Sequence, residues 1–401
     1  MDSQDLNKKR DVVIVCGLDV LKECKDAVND GNERVVLVVP GPYREYAEKH
    51  CDIPIATTPY ELVEILAGYP SPAPMKAAFG AGEHCGFKES QLEEINASIK
   101  KTLERIAANK GTNGAFADLW QHNAKENLGQ IQALQKNLMD EGIQWHTDKK
   151  PMVVVGAGPS LDSTIDQLKE IRDKVCIAAV SHAMNALETI GITPDYCMVL
   201  DAQDVQWHFN SLSAGTIRGT TALLGATTHP SLYHLPFKDI IPFNGNQVGV
   251  VDWIDEYLDE PLHPLVAGGN VLTSLVKLGT DWKLPKICLI GADCAFTAGK
   301  VYADITIDGG TRITLNEERN QFQYSKGSKE LQKLHQQKQH ALKTIPAING
   351  GTVPSCQQFY IYHAYLEYIA KQHPGSLYQC SESGAYINLA THCSLTEAIN
   401  S

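Results

Sequence analysis

The stretch PMVVVGAGPS, Pro151 to Ser160, decides the fold. Its apolar run from Met152 to Val155 is short, unbroken and mostly β-branched, which is typical of a strand buried on both faces of a parallel sheet. The turn from Gly156 to Ser160 follows directly, and an amphipathic pattern from Leu161 to Ile171 then predicts a helix. We therefore expect a strand, a tight glycine turn and a helix in immediate succession.

A unit of this kind can serve two purposes. The glycines let the backbone approach a ligand closely, and the start of the helix points unpaired N–H groups at an anion such as a nucleotide phosphate. The same turn can also join a strand to a helix without any ligand. On the first interpretation Gly156, Gly158, Pro159 and Ser160 bind a nucleotide, and we predict that Gly158→Val abolishes nucleotide binding and leaves the fold largely intact.

Composition restricts the class of protein. The chain has 401 residues, with 35 basic and 47 acidic side chains and a net charge of −12. This balance, without a long basic run, argues against nucleic acid or an anionic membrane as the main partner. The sequence has no apolar stretch of the roughly 18 residues that a membrane span needs, and the first ten residues lack the core of a secretory signal. The 11 cysteines form no CxxC pair. We expect a cytoplasmic protein with reduced cysteines that bind no metal.

Alternating strand and helix patterns predict an α/β fold whose main part is a Rossmann-like, mostly parallel sheet. Residues 1–88 contain the apolar runs DVVIVC and RVVLVV and are assigned to a smaller α/β amino-terminal domain. Residues 89–145 follow a helical pattern and are assigned to a helical linker. Residues 146–401 are assigned to the Rossmann-like nucleotide-binding domain, in which a polar loop from Asp308 to Gln339 interrupts the alternation.

Polar residues follow several predicted strands of this domain, at the edge of the sheet where ligands of open α/β folds bind. Hydroxyl, amide and carboxylate groups at that edge are the groups that a nucleotide-sugar site requires. The acidic pair Asp201 and Asp204 is also compatible with a divalent cation or with a solvated strand end, and His182 with a base or with a hydrogen-bonded wall residue. The candidates are Ser160, Ser181, His182, Asp201, Thr227, Asn270, Asp293 and Glu382.

Asp293 follows an apolar strand and a glycine, so we expect its carboxyl group in a partly desolvated place, where the pKa rises. Glu382, after the last predicted strand, is a similar carboxylate. A structural carboxylate that accepts hydrogen bonds from loop amides is the alternative for Asp293. If Asp293 is a base, Asp293→Asn slows turnover with little loss of nucleotide affinity.

Six motifs, taken in order, resemble the motility accessory factor (Maf) glycosyltransferases, with their 6-hydroxymethylpterin diphosphokinase-like (MptE-like) domain. They are GAGPSL from Gly156, GITPDYCMVLDAQ from Gly191, AGGNV from Ala267, LIGADCAFTAGKVYA from Leu289, NGGTVPS from Asn349 and SESGAYI from Ser381. The resemblance covers roughly residues 125 to 400. It implies a bacterial cytoplasmic enzyme that transfers a nonulosonic acid, such as pseudaminic or legionaminic acid, to Ser or Thr of flagellin.

The same motifs are more distantly similar to bacterial sialyltransferases, which use a CMP-activated sugar. This similarity implies a CMP donor, no metal and no further cofactor, and a nucleoside-binding role for Asp201. The base of those enzymes is a histidine, and the corresponding region around Asn349 has none, so Asp293 and Glu382 are the substitutes. The nucleotide-binding candidates are Gly156, Gly158, Pro159, Ser160, Ser181, Asp201, Thr227, Gly268, Gly269 and Asn270.

Two other functions stay open. An archaeal-type 6-hydroxymethylpterin diphosphokinase shares the GxGPS domain and requires ATP with Mg²⁺. A non-catalytic, nucleotide-binding factor of flagellar assembly retains the glycine turn but shows no turnover. The leading interpretation has a CMP-activated sugar and flagellin as partners, without nucleic acid or a membrane span, and is compatible with a homo-oligomer.

Overall fold

The computed structural model describes residues 12–17, 35–57, 62, 65, 77–81, 85–140, 150–245, 252–265, 267–325 and 340–401. The chain divides into two compact units, residues 1–115 and 116–401. This division falls inside the segment 89–145 that we assigned to a helical linker. The carboxyl-terminal limit of that predicted linker lies in 141–149, outside the described residues.

The first unit contains a four-stranded parallel sheet in the order β3-β2-β1-β4. The two apolar runs that predicted strands form β1 and β2 at its centre, and all four residues of β2 are buried. A long helix, α2, follows this sheet in the chain and extends into the residues of the second unit. The elements are β1 (Val12–Cys16), β2 (Val35–Val38), α1 (Arg44–His50), β3 (Ile55–Ala56), β4 (Ala77–Ala81) and α2 (Glu89–Leu134).

The second unit contains an eight-stranded sheet in which all neighbouring strands are parallel. The strands of the unit are β5 (Met152–Val155), β6 (Cys176–Val180), β7 (Tyr196–Val199), β8 (Thr221–Gly225), β9 (Asp239–Phe243), β10 (Ile287–Ile290), β11 (Arg312–Asn316), β12 (Gln321–Ser325), β13 (His340–Ala341), β14 (Lys343–Pro346), β15 (Thr352–Ser355), β16 (Leu377–Gln379) and β17 (Thr391–His392). Its remaining helices are α3 (Leu161–Thr164), α4 (Leu168–Ile171), α5 (Met184–Thr189), α6 (Ala214–Gly219), α7 (Val271–Asp281), α8 (Gln357–Gln372) and α9 (Leu395–Asn400). The predicted fold class, a Rossmann-like parallel sheet with a smaller α/β domain, is confirmed. Among the helices described, none combines the length and apolar character that a membrane span requires.

The strand order of the large sheet creates a crevice beside β5. The order is β17-β16-β10-β5-β6-β7-β8-β9. The chain adds strands in one direction from β5 to β9, and β10 then returns to the other side of β5. Since the connections after β5 and β10 run in opposite directions across the sheet, the binding crevice that is typical of open α/β sheets is expected at the carboxyl ends of these two neighbours.

The apolar run that we identified first forms β5, and it is buried on both faces as expected. Val153 and Val155 pack with Leu161 in the core on one face of the sheet. Met152 and Val154 pack in the core on the other face. All four side chains are 0% exposed, and full burial of a side chain of this size contributes about 1.5–3 kcal/mol.

The helix predicted from Leu161 to Ile171 is interrupted. It consists of α3, a 3₁₀ turn at Ile165–Gln167, and α4. The hydroxyl groups of Ser163 and Thr164 both donate to the carbonyl oxygen of Ser160, at 3.1 and 3.0 Å. Side-chain hydroxyls that bond to a carbonyl one turn back compete with the backbone and bend a helix.

The polar loop predicted from Asp308 to Gln339 is wrong over its first part, where β11 and β12 form an antiparallel pair. Ile313 on β11 and Phe322 on β12 are buried and pack with Phe296 in a small separate core. Each of these strands has one buried residue, so the segment has a polar composition although it forms strands. Residues 326–339 lie outside the described residues.

Two asparagines of α2 hold the loops at the carboxyl edge of the large sheet. Asn123 and Asn127 are each 1% exposed, and a spacing of four residues places them on the same side of the helix. Each side-chain amide donates to two backbone oxygens in the loops after β7 and β8. The acceptors are Ala202 and Thr227 for Asn123, at 2.8 and 3.0 Å, and Ala226 and Thr228 for Asn127, at 3.0 and 2.7 Å.

We predict that Asn123→Ala lowers the free energy of unfolding by about 2–4 kcal/mol, because two buried carbonyl groups lose their donor. Gln121→Ala is the matched control, since Gln121 is exposed on the same helix and its substitution costs less than about 0.5 kcal/mol. Urea denaturation followed by circular dichroism measures both variants. Equal unfolding midpoints for the two would contradict the assignment.

Candidate functional site

The turns after β5 and β10 pack directly against each other. A Cβ atom on Gly156 would lie closer than 3.0 Å to the carbonyl oxygen of Gly291, and a Cβ on Gly291 would lie equally close to that of Gly156. The amide of Gly156 donates to Ile290 O at 2.9 Å, and that of Gly158 to Gly291 O at 2.8 Å. Glycine is therefore required here because two backbone segments touch, which matches the second of the two purposes considered for this turn.

The carboxylate of Asp293 joins these two turns. Ser160 N donates to its two oxygens at 3.1 and 3.0 Å, and Ser160 Oγ donates to Oδ1 at 2.6 Å. Thr297 Oγ1 donates to Oδ2 at 3.2 Å. Asp293 is 2% exposed, and burial raises its pKa to about 6, against the lowering effect of the hydrogen bonds from Ser160 and Thr297.

The amides that we expected to be open to a phosphate, those of Gly156, Gly158 and Ser160, are thus paired within the protein. The anion at the start of the helix is Asp293. Pro159 is buried, and its carbonyl oxygen accepts from the amide of Asp162. Nucleotide binding by this turn stays a prediction.

The expectation that Gly158→Val leaves the fold intact is wrong. A Cβ atom at this position would lie closer than 3.0 Å to Asp293 Oδ1 and to the carbonyl oxygen of Gly291. Because backbone atoms cannot move aside without a large cost in free energy, the substitution disrupts the junction of the two turns before it affects any ligand.

A second group of polar and aromatic side chains gathers at the ends of β6, β7 and β10. We call it the His182 cluster, and its members are His182, Asp201, Trp207, His208, Tyr302 and Asp308. His182 follows β6, and its Nε2 lies 3.2 Å from Asp308 Oδ2. The ring of His182 stacks on Tyr302, with centroids 4.9 Å apart and planes 13° apart. Two contacts from the segment after β10 therefore hold the imidazole at the end of β6.

His208 is the buried neighbour of His182. Its ring centroid lies 4.0 Å from that of His182, and its Nδ1 lies 2.9 Å from Ser181 Oγ. Burial lowers the pKa of His208 to about 2, with a smaller contribution from His182, so His208 is neutral. Its Nε2 and the Oδ1 of Asp308 are buried without a hydrogen-bond partner among the described residues. Unpaired buried polar atoms of this kind call for a water or ligand partner.

Asp201 is the exposed member of the His182 cluster. The surrounding protein desolvates its carboxyl group and raises its pKa, and the charge of His182 acts in the opposite direction. The pKa values of Tyr302 and Tyr362 are raised mainly by burial, and the charge of Asp201 adds to the effect on both. Both rings therefore lie within electrostatic reach of Asp201.

Asp204, the second acid after β7, has a structural task. Its Oδ1 accepts from the amide of Gln206, the first residue of the 3₁₀ turn Gln206–His208, at 2.9 Å. No group of three or more His, Cys, Asp or Glu side chains suited to a metal is found in the part of the chain that the structure describes.

The AGGN segment begins α7 on the same edge of the sheet. Asn270 caps the helix, since its Oδ1 accepts from Thr273 N at 2.8 Å. A Cβ on Gly268 would lie closer than 3.0 Å to the ring of Tyr365. Gly269 has a φ of +98°, and a Cβ there would lie 3.7 Å from Tyr362. These glycines therefore let the start of α7 approach the tyrosines of α8.

The first turn of α7 presents two unpaired amides. Those of Val271 and Leu272 have no acceptor among the described residues, as expected for the first turn of a helix. The partial positive charge of a helix start favours an anion in this position. Tyr362 therefore lies beside the start of α7, and the charge of Asp201 adds to the raised pKa of its phenol.

Two predicted residues, Thr227 and Glu382, have not yet been placed. Thr227 is buried, and its Oγ1 has no partner among the described residues. Glu382 is exposed, and its carbonyl oxygen accepts from Asn349 Nδ2 at 3.0 Å. The loop of Glu382 packs on the backbone of Asp293, to which Ala385 N donates at 2.8 Å. The contacts thus place Ser160, Asp293 and the Glu382 loop in one group, and Ser181 and Asp201 with His182 in another.

Sequence reasoning missed several members of the site. His208 and Trp207 follow β7 closely, and a histidine and a tryptophan so near a strand end were a usable signal. Asp308 was hidden in the predicted polar loop, and nothing in the sequence separates it from its acidic neighbours. The missed residues are Asn123, Asn127, Trp207, His208, Asp308 and Tyr362.

Comparisons with known proteins agree with the fold and with the motifs. Residues 120–299 match the family model of 6-hydroxymethylpterin diphosphokinase MptE-like proteins. An uncharacterised protein of Treponema pallidum (strain Nichols) is 27% identical over 121 residues, which are 30% of this chain and 55% of that protein. The solved structure of a Maf glycosyltransferase from Magnetospirillum magneticum AMB-1 is similar, with a TM-score of 0.53 and 16% identity.

The structural likeness covers 97% of this chain and 58% of the Magnetospirillum chain. The chain therefore spans somewhat more than half the length of either relative. The predicted resemblance to Maf proteins and to their MptE-like domain is confirmed, as a likeness in sequence over the central residues and a likeness in fold over nearly the whole chain.

The raised pKa of Asp293 predicts a pH dependence of stability. The folded protein holds the proton of this carboxyl more tightly than the unfolded chain, whose pKa is near 3.8. The contribution of Asp293 to the free energy of unfolding is therefore greatest at low pH and falls as the pH rises through 6. Relative to the Asp293→Asn variant, the free energy of unfolding of the wild-type protein should fall by about 2 kcal/mol between pH 4.5 and pH 7.5.

Urea denaturation at the two pH values checks this prediction. Asp259→Asn is the control, because Asp259 is exposed and its substitution should leave the pH dependence of the wild type unchanged. A stability difference between wild type and Asp293→Asn that is the same at both pH values would refute it.

Proposed function

We propose that the protein is a glycosyltransferase that moves a nonulosonic acid, of the pseudaminic or legionaminic type, from a CMP donor to Ser or Thr of flagellin. The observation that carries this proposal is the His182 cluster, a group of polar and aromatic side chains at the carboxyl edge of a parallel sheet in a fold similar to that of a Maf glycosyltransferase. A cytoplasmic location, the flagellin partner and the absence of a required cofactor belong to the same proposal.

The start of α7 is the place that we propose for the phosphate of CMP. The unpaired amides of Val271 and Leu272 and the helix dipole attract an anion without any basic side chain. Gly268 and Gly269 bring this helix start close to Tyr365 and Tyr362, and we propose that Tyr362 contacts the nucleoside. Asp201, within electrostatic reach of Tyr362, is placed to accept hydrogen bonds from the ribose hydroxyls.

The other nucleotide-binding candidates receive different roles in this arrangement. Ser160 and the glycines before it form the wall that supports the crevice, because their amides are committed to β10 and Asp293. Ser181 orients His208. We propose that Asp293 is a positioning residue rather than the base, since its oxygens already accept three donor groups and it is 2% exposed.

Transfer in this site forms one bond and breaks another. The oxygen of the acceptor hydroxyl bonds to the anomeric carbon of the sugar, and the bond from that carbon to the phosphate oxygen breaks. The electron pair leaves with CMP, whose developing charge the start of α7 stabilises. The acceptor proton passes to a base of the protein, for which Glu382 is the exposed one of the two carboxylates first considered.

A second candidate is an ATP-dependent transfer of diphosphate to 6-hydroxymethylpterin. The family model that matches residues 120–299 favours it. This reaction requires Mg²⁺, whereas the CMP reaction proposed above does not, so the two candidates differ in nucleotide and in metal dependence.

Calorimetry with CMP in EDTA, and with ATP in Mg²⁺, tests the two candidates. We expect CMP to bind without metal, and we expect CMP release from CMP-pseudaminate or CMP-legionaminate with a matching mass increase of flagellin. Binding of ATP with Mg²⁺ but not of CMP would overturn the proposal in favour of the diphosphokinase. CMP binding without release from either donor would leave a non-catalytic binding factor.

We predict that Asp201→Ala weakens CMP binding about 10- to 100-fold, because one or two charge-assisted hydrogen bonds are lost. Asp204→Ala serves as the control at the same sheet edge, since the carboxylate of Asp204 accepts from the amide of Gln206, and its CMP affinity should stay within about threefold of wild type. Unchanged affinity in Asp201→Ala would remove Asp201 from the nucleotide site.

A further inference from the structure

We propose that His182 is the general base that activates the acceptor hydroxyl, and that Asp308 positions it. The inference rests on the proposed glycosyltransferase function. His182, at the end of β6, takes the place of Glu382 and Asp293 as the candidate base. Its partner Asp308 lies in the segment after β10.

The pairing of His182 with Asp308 leaves one imidazole nitrogen available. Nε2 lies 3.2 Å from Asp308 Oδ2. A carboxylate only accepts hydrogen bonds, so Nε2 carries the proton and Nδ1 has the free lone pair. Nδ1 has no partner among the described residues, and the side chain is 24% exposed, whereas that of Asp308 is 0% exposed. This is the arrangement of a base oriented by a buried carboxylate.

The groups around His182 support proton transfer at this ring. Tyr302 stacks on one face, and the edge of Trp207 approaches at a centroid distance of 6.1 Å. Burial raises the pKa of Tyr302, so its phenol stays neutral. His208 is neutral as well, because burial lowers its pKa to about 2. Asp201 and Asp308 are the carboxyl groups of the His182 cluster, and a negative charge on either favours the imidazolium that forms.

Two unpaired atoms indicate that the cluster is completed by a polar ligand. Oδ1 of Asp308 and Nε2 of His208 are buried without a partner among the described residues. Asp308 bonds to His182, and the ring of His208 lies against the ring of His182. An acceptor hydroxyl, or the water that precedes it, would supply the missing hydrogen bonds beside the base.

The reaction step balances with these groups alone. The acceptor Oγ–H gives its proton to Nδ1 of His182 as its oxygen forms the bond to the anomeric carbon. The bond from that carbon to the phosphate oxygen breaks, and CMP leaves with the electron pair. The imidazolium shares its Nε2 proton with Asp308 and later returns the acquired proton to water.

The test compares His182→Gln, which keeps a donor for Asp308, with His229→Gln. His229 follows β8 at the same edge of the sheet and bonds to Ser231 instead. Steady-state CMP release from CMP-legionaminate or CMP-pseudaminate with flagellin is measured from pH 5 to 9. We expect His182→Gln to lower kcat about 100- to 1,000-fold, with the donor KM and CMP affinity within about threefold of wild type.

The pH profile separates catalysis from a structural role. The wild-type rate should fall on the acid side as the base is protonated, and this dependence should vanish in the residual activity of His182→Gln. Asp308→Asn should lower kcat about 10- to 100-fold while it retains the acid-side dependence at a shifted position. The control His229→Gln should keep the wild-type rate and profile.

Failure of this inference is distinct from failure of the proposed function. If the wild type releases CMP and His182→Gln does so at the wild-type rate, the base is another residue and the glycosyltransferase proposal stands. A His182→Gln variant that loses CMP affinity as much as kcat also overturns the inference, because the residue then acts in binding. If the wild type binds CMP but releases none from either donor, both are overturned.

Discussion

The rest of the structure depends on one buried carboxylate. Asp293 accepts hydrogen bonds from the amide and hydroxyl of Ser160 and from Thr297, and so joins the turn after β5 to the turn after β10. These are the two strands between which the chain reverses its direction across the sheet. Gly156 and Gly291 permit the same approach by touching backbone to backbone. The crevice of this parallel sheet is therefore held by an internal anion at a helix start.

The candidate site lies at the end of β7, where Asp201 remains accessible. The loops after β7 and β8 are fixed by Asn123 and Asn127, each with two buried hydrogen bonds, so the end of β7 that carries Asp201 is held rigidly. Preorganised groups of this kind need little rearrangement when charge develops in a reaction. The chain is acidic, with a net charge of −12, and in our proposal helix amides rather than basic side chains attract the donor phosphate.

The chemistry proposed for this site assigns different tasks to similar groups. Asp293 and Asp308 are both buried carboxylates, but the first bonds to a backbone amide and the second to an imidazole. His182 and His208 touch each other, and burial lowers the pKa of His208 to about 2 and so keeps it neutral. Environment, rather than residue type, decides which group transfers a proton. The distant sialyltransferase likeness implied a histidine base near Asn349, and the proposed base stands instead at the end of β6.

The sequence by itself determined the α/β class, the buried strand Met152–Val155, the glycine turn and the polar strand ends, because these follow from local periodicity and from the conformations open to glycine. Local pattern also predicted a desolvated Asp293, since that residue follows an apolar strand. Only the tertiary structure decided what the glycine turn binds, because the carboxylate that accepts from Ser160 belongs to Asp293, more than one hundred positions away in the chain. The pairing of His182 with Asp308 spans a similar separation, and no local pattern encodes contacts that exist only after the strands assemble.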